Sequence, residues 1–567
     1  MDNSIDKPFG GPQAAKDGPV FPPKAVLSGK VMTLAFDCCI EAAEPALFNK
    51  RECIGVACGG EGTFVTSVKI DASRVIIGIA EYFSPSDGTV TVSYKKPGHG
   101  ALRAAGTDEL IQSFEDVAAD NTNPEISRPK NLQGFRVENV RSLKDMTGAA
   151  VASDFPSWGG HQSRIVRTEN GVYITTLIAS PPKTHKFGLY KADEPGLGLI
   201  GEEFISGVAV TVLADSGGNV YVPCLDAQEG DMFYGRPTVF KYPGGRGPAV
   251  KIQYQADEFK SGNRNNELCG YNYEGACMDG EGKNILMAIS YVDNDEPFAS
   301  KLVWLTFDTV RETWSGIHSE PVKWSELYPY VLSWRGGGKF LTNVACSYRQ
   351  LGHGQPAGYD PKYIWFGVTL WDLPEAGGGK IDEIWRCRME YTDSSPAPFA
   401  SQNGLYSGDA YIDSKGYTHL LLNTDGALGI DTHPAQTRYV IFDSDNKMLL
   451  DRHLFDGVNA CRFAETPGGV MYILRMVIGT SKYEVYAVNV SHTDISSGTP
   501  VFTHRFADKD GKPYITAHSG PCITAPRGGS APEWFTDVAF PRKNENPDAD
   551  SAGFVDDWII FRLHFPT

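Results

Sequence analysis

Histidine, tyrosine and arginine recur in this chain beside loops, and few carboxylates accompany them. His161 lies in WGGHQSR with Arg164 three residues on, and His185 lies in SPPKTHKFGLY. Tyr234 and Arg236 share DMFYGRPTVFKY, and Tyr273 precedes Glu274. Arg349 and His353, then Tyr406, His433, Arg462 and His518, complete the set. Eliminative cleavage of a uronate sugar needs these residue types. A cation or donor must neutralise the C6 carboxylate, a His or Tyr base takes the C5 proton, and an acid protonates the leaving oxygen. Glycoside hydrolysis instead needs two carboxylates across the bond. Glu274, Asp409 and Asp537 are its candidates, or an arginine cluster with a tyrosine in a sialidase-like site. A third possibility is a glycan-binding adhesin or tail module that catalyses nothing. Each residue also has a plain reading: His161 caps a turn after two glycines, His185 sits in a solvated loop between Lys183 and Lys186, and Arg236 pairs with Asp231.

The elements that must hold these residues repeat. A strand, a turn with Asp, Glu or Asn and Gly, and a second strand recur as SRIVRTENGVYITTL, VAVTVLADSGGNVYVPCL, EGACMDGEGKNILMAISY, YVLSWRGGGKFLTNVACS, GDAYIDSKGYTHLLLN, ACRFAETPGGVMYILRM and GPCITAPRGGSAPEWFTDVAF. Seven such cores, each too small to bury both its faces, predict an all-β chain ending in a seven-bladed β-propeller over 124–567. Two unrelated β-sandwiches are the competing arrangement. In a propeller the residues just before each inner strand, and those in the loop after each second strand, converge at one mouth of the channel. His161, His185, Tyr234, Arg236, Tyr273, Glu274, Arg349, His353, Tyr406, Asp409, His433, Arg462 and His518 are expected there.

Residues 1–21 read as a flexible lead-in. Residues 22–123 carry short alternating runs, among them KVMTLAFD, TSVKIDASRVIIGIAEYF and GTVTVSYKKPGHG, which predict an immunoglobulin-like β-sandwich. NTNPEISRPKN reads as the linker.

Two resemblances follow from these motifs. The order MTLAFD, VTVSYKKP, LRAAGTDELIQSFEDVAADN resembles the SwmB-type immunoglobulin-like repeat of bacterial surface and secreted proteins, which implies a spacer or sugar-binding accessory. AAGTDE departs from that family's turn, so the resemblance implies no ion there. The GGH opening, a second histidine about two dozen residues later and the R-x-x-x-F/Y start of a third strand resemble the propeller-type polysaccharide lyases, including ulvan and rhamnose–glucuronate lyases. The resemblance implies that His161 and His185 are the acid/base and carboxylate-contacting histidines and that Arg236 clamps the carboxylate. Tyr221, Tyr234 and Tyr273 compete for the tyrosine role. TFDTVRETWS is a worn Asp-box, the S-x-D-x-G-x-x-W turn of BNR-type carbohydrate propellers.

Composition bounds the partners. A net charge of −17 repels nucleic acid and anionic lipid, while a local basic pocket can still take an acidic polysaccharide. No run approaches the roughly 20 apolar residues of a membrane span. The eleven cysteines lack paired zinc spacing; Cys53 with Cys58 and Cys269 with Cys277 close short loops, or stay reduced and buried. No cofactor is required. A structural Ca or Zn ion is conceivable at DNDEP, DSDN or DKDGK, or between Cys346 and His353. MDNSIDKPFGG is no signal peptide, so the expected extracellular or periplasmic location rests on the substrate class alone.

Overall fold

A computed structural model describes residues 23–28, 31–42, 53–58, 61–63, 65–79, 89–97, 101–106, 110–122, 134–143, 163–178, 185–193, 198–205, 210–227, 234–255, 268–269, 274–292, 300–322, 328–335, 339–346, 366–373, 382–389, 405–424, 436–456, 460–477, 480–488, 500–508, 510–515, 521–543 and 555–566. The chain divides into two compact units, Met1–Ile126 and Ser127–Thr567.

The alternation seen in the first unit becomes one eight-stranded sheet curled around a single core. The run VMTLA forms strand Val31–Ala35, which buries Met32 and Leu34 and turns Val31 and Ala35 outward. Along the sheet the strands run Glu61–Thr63, Ile54–Cys58, Val90–Tyr94, Phe114–Asn121, Lys24–Ser28, Val31–Ala35, Arg74–Ile79 and Val65–Asp71. All pairs are antiparallel except Lys24–Ser28 with Phe114–Asn121. A separate two-stranded ladder joins Ile40–Ala42 to Leu102–Ala104. Leu27, Leu34, Val56, Val75, Ile77, Val92 and Tyr94 meet in the core. Cys53 and Cys58 are buried with it as thiols, not as a disulfide, and Cys277 of the second unit is likewise unbridged. Both thiols of the first unit serve as small apolar side chains.

Among the described residues the second unit holds seven antiparallel sheets, six built on four-strand meanders and the seventh on a three-strand one, with each core motif supplying the first two strands. The first strands, for sheets one to seven, are Ile165–Thr168, Leu213–Ala214, Glu274–Met278, Tyr328–Arg335, Leu405–Ile412, Ala460–Glu465 and Cys522–Ile523. Each touches the first strand of the next sheet, and the seventh touches the first, so the contacts close into a ring. The fourth strand of sheet seven is Arg136–Ser142, which pairs with Val555–His564 and ties the beginning of this unit to its end.

Facing sheets bury apolar side chains between them. Phe187, Val212, Val222 and Phe240 lie between sheets one and two, and Leu421, Tyr439, Phe463 and Ile473 between five and six. Strands packed on both faces read as unbroken apolar runs; all six residues of Met471–Met476 are buried.

The turns between first and second strands use one device. Asp215 accepts the N–H groups of Gly217 and Asn219, both at 2.9 Å, and Asp413 those of Lys415 and Tyr417 at 3.0 and 2.8 Å. Gly282 in sheet three and Gly416 in sheet five complete such turns at φ of 69° and 82°, where an L side chain is strained. Neighbouring turns lie side by side: Gly218 abuts Asn170, Gly282 abuts Asp215, and Gly469 abuts Ser414. With the turns gathered at one end, these first strands begin together at the other.

Candidate active site at the opening of the strand ring

A meander also returns its third strand to the end where its first began. The backbone therefore brings several candidates to one end. His185 opens His185–Lys191 and Tyr234 opens Tyr234–Tyr242, both third strands. Glu274 opens Glu274–Met278, and Tyr406 is second in Leu405–Ile412. Arg164 directly precedes sheet one and Arg462 is third in Ala460–Glu465. Arg236 is half-buried and stands opposite Asp226. That carboxylate already accepts from Gln253 Nε2 at 3.0 Å and pairs with Lys251. His161, Tyr273, Arg349, His353, His433 and His518 lie outside the described residues, as does Asp231.

One candidate is displaced. Tyr221 is fully buried, and its hydroxyl donates to Asp215 Oδ2 at 2.7 Å in the turn at the opposite end. Burial, then that carboxylate, pushes its pKa up. It locks a turn.

Deeper in the ring lies a group of charges. The loop from Ile523 to Phe535 is longer than the Asp–Gly turns of sheets two, three and five and places the helical turn Pro526–Gly528 against the first strands of sheets two, three and four. Gly529 there has φ 91°, and a Cβ on it would lie 1.8 Å from the Ala214 carbonyl oxygen, so only glycine fits. From this turn Arg527 reaches across to ion-pair with Asp409 and donates to the Ala410 carbonyl at 3.3 Å. Asp409 Oδ2 accepts the Phe463 N–H at 2.8 Å. Arg462 Nη1 donates to the carbonyls of Gly408 and Cys461 at 2.7 and 2.6 Å. Burial pushes the Arg462 pKa down, while Asp409 pulls it up. Arg164 is fully buried with its guanidinium 5.9 Å from the Trp558 ring centroid.

This cluster bears on the chemistry. Of the carboxylates suited to hydrolysis, Asp409 is engaged by Arg527, and Asp537 by Arg167 and by Arg562 Nε at 3.1 Å. Arg527 escaped sequence reasoning because it belongs to a loop of the opposite end; the length of APRGGSAPEW was the available signal.

The acidic turns hold their own backbone. Asp443 Oδ1 accepts the N–H groups of Asp445 and Lys447, and Asp508 Oδ1 those of Asp510 and Lys512. DNDEP and His353 are outside the described residues. Among the described residues no three His, Cys, Asp or Glu side chains gather as a metal would require. The worn Asp-box acts as a hairpin cap: Asp308 Oδ1 accepts from Val310 and Arg311, and Trp314 packs on Phe307 at 5.2 Å. No helix among the described residues is long and apolar enough to cross a membrane.

No protein-family model matches the chain, and no curated protein does. Among solved structures it is similar to the polysaccharide lyase Uly1, at 10% identity and TM-score 0.45 over 76% of this chain and 99% of that one. It is similar also to a PL25 ulvan lyase bound to -[GlcA(1-4)Rha3S]-, at 11% identity and TM-score 0.41 over 74% and 95%. The GH93 α-L-arabinofuranosidase of Fusarium graminearum matches at 11% identity and TM-score 0.34 over 61% and 92%. At these identities and scores the likeness assigns no activity to the chain.

Proposed function

We propose that the second unit is a seven-bladed β-propeller acting as a polysaccharide lyase on a uronate-containing glycan, and that the first is an immunoglobulin-like accessory domain. The observation that carries the reading is that two of the three carboxylates suited to hydrolysis, Asp409 and Asp537, are held in ion pairs with arginines. A half-buried cation such as Arg236 suits a substrate whose carboxylate must be neutralised before its neighbouring C–H can ionise. Hydrolysis would need paired carboxylates, and of its candidates Asp409 and Asp537 are engaged by arginines.

In the reaction a base takes the C5 proton, and its electron pair forms the C4–C5 double bond. The C4–O bond breaks, and an acid returns a proton to the departing oxygen. His161 and His185 take the acid/base and carboxylate-contacting roles, with Tyr234 or Tyr273 as their partner and Arg236 on the carboxylate. Arg349, His353, Tyr406, His433 and His518 are assigned to substrate binding. The substrate class places the protein outside the cytoplasm.

The product carries a double bond conjugated to its carboxylate, which absorbs in the ultraviolet; hydrolysis makes none. Incubation with a panel of uronic-acid polysaccharides should raise that absorbance, and His185→Ala should abolish the rise. New reducing ends without absorbance would refute elimination in favour of hydrolysis. Binding without product would assign the protein to the non-catalytic glycan binders.

A further inference from the structure

Arg236 is third in Tyr234–Tyr242, directly opposite Asp226 on the neighbouring strand Val220–Ala227. Opposed residues of an antiparallel pair share a face with their Cβ atoms about 5 Å apart, a separation at which arginine and aspartate readily join. Among the described residues no ion pair joins these two. Asp226 is claimed from another side: its Oδ2 accepts from Gln253 Nε2 at 3.0 Å and pairs with Lys251 Nζ. Both donors belong to Val250–Gln253, the fourth strand of sheet two, where Gln253 stands opposite Thr238 and Lys251 opposite Phe240. Alternate residues of a strand share a face, so Asp226, Arg236, Gln253 and Lys251 lie on one side of sheet two. That side carries Val222, Cys224 and Phe240, which pack with Phe187 of sheet one. Glu203, opposite Phe187 within sheet one, brings a second carboxylate to the same interface. Lys251 acts on it too, against the burial and the Asp226 charge that push its pKa up. One lysine thus answers two acids beside the face that carries Arg236.

An acid next to an anion clamp competes with the clamp's ligand. Turned toward Arg236, Asp226 would occupy the guanidinium; held by Lys251 and Gln253, it does not. We infer that Lys251 and Gln253 are positioning residues that hold Asp226 away from Arg236 and so keep that guanidinium open to an anion. Naming the anion as a uronate carboxylate rests on the lyase reading; the arrangement itself does not.

Calorimetric titration of the full chain with a panel of uronic-acid oligosaccharides tests it, beside initial rates of ultraviolet product. Lys251→Met should raise Kd and KM about fivefold and leave kcat within about twofold, since it releases Asp226 onto Arg236. Adding Asp226→Asn to Lys251→Met should bring Kd and KM back to within about twofold of the unsubstituted chain. Adding Glu203→Gln instead removes the same charge from the same interface and should restore neither. Gln253→Ala should act in the direction of Lys251→Met, which keeps the test decisive if that variant does not fold. Affinity unchanged in both Lys251→Met and Gln253→Ala would overturn the inference, as would an unsubstituted chain that binds none of the panel. Failure of Asp226→Asn to rescue would also overturn it and would place Lys251 on the sugar itself. Equal rescue by Glu203→Gln would overturn it in favour of net charge alone. The expected pattern in Kd without any ultraviolet product would leave the arrangement standing while the lyase reading fell.

Discussion

Asp409 shows how one residue can look catalytic in sequence and prove structural in space. Its two oxygens serve Arg527 and the Phe463 N–H, so it joins sheet five to sheet six and to the loop on the axis. Asp409→Asn should destabilise the second unit by about 3–5 kcal/mol, because it strands a buried guanidinium; urea unfolding measures it. Glu484 is a second such residue. It is 3% exposed and bound by Arg475 at 2.8 Å, Lys482 at 2.8 Å and the Tyr486 hydroxyl at 2.6 Å. Burial alone would raise its pKa, but Arg475 and Lys482 override it and hold the carboxyl at about 2. A carboxyl depressed in the folded state stabilises above its unfolded pKa. Its contribution is therefore complete above about 4.5 and disappears as pH falls toward about 2. Glu484→Gln should lower stability at neutral pH and flatten its fall over that acid range, as denaturant midpoints across pH would record.

The repeated turn sets the geometry of the elements. In sheets two, three and five Asp at its start and glycine at positive φ near its end close the hairpin, while the first strands carry the chain back to the ring opening. Gly416→Ala has room, since the nearest atom to a new Cβ is Ser444 Cβ at 3.7 Å. Its cost should be the backbone strain alone, about 1–2 kcal/mol. Gly529→Ala adds a collision with the Ala214 carbonyl to a φ of 91°. It should cost distinctly more, because it dislodges the turn that carries Arg527. Comparing urea midpoints of the two variants separates strain from collision.

At the scale of the molecule, the two units are stabilised separately, each by its own core. The second depends on the pairing of Arg136–Ser142 with Val555–His564 to complete sheet seven. Ending the chain before Val555 removes the strand that both Arg136–Ser142 and Phe535–Lys543 pair with. The second unit should then lose its cooperative thermal transition while the first keeps its own, which calorimetry can resolve.

The repeating strands and Asp–Gly turns were legible in the sequence because they depend on short-range causes: side-chain alternation, backbone capping by Asp, and positive φ at glycine. The same local logic marked His185, Tyr234 and Arg236 at strand starts. It misjudged Tyr221, whose hydroxyl is answered by Asp215 six residues away, and could not foresee Arg527. That side chain meets Asp409 across a sequence separation of 118 residues. Burial, charge balance and the pairing of distant groups arise only when the ring closes, so the tertiary structure alone decided which carboxylates remain open and where positive charge collects.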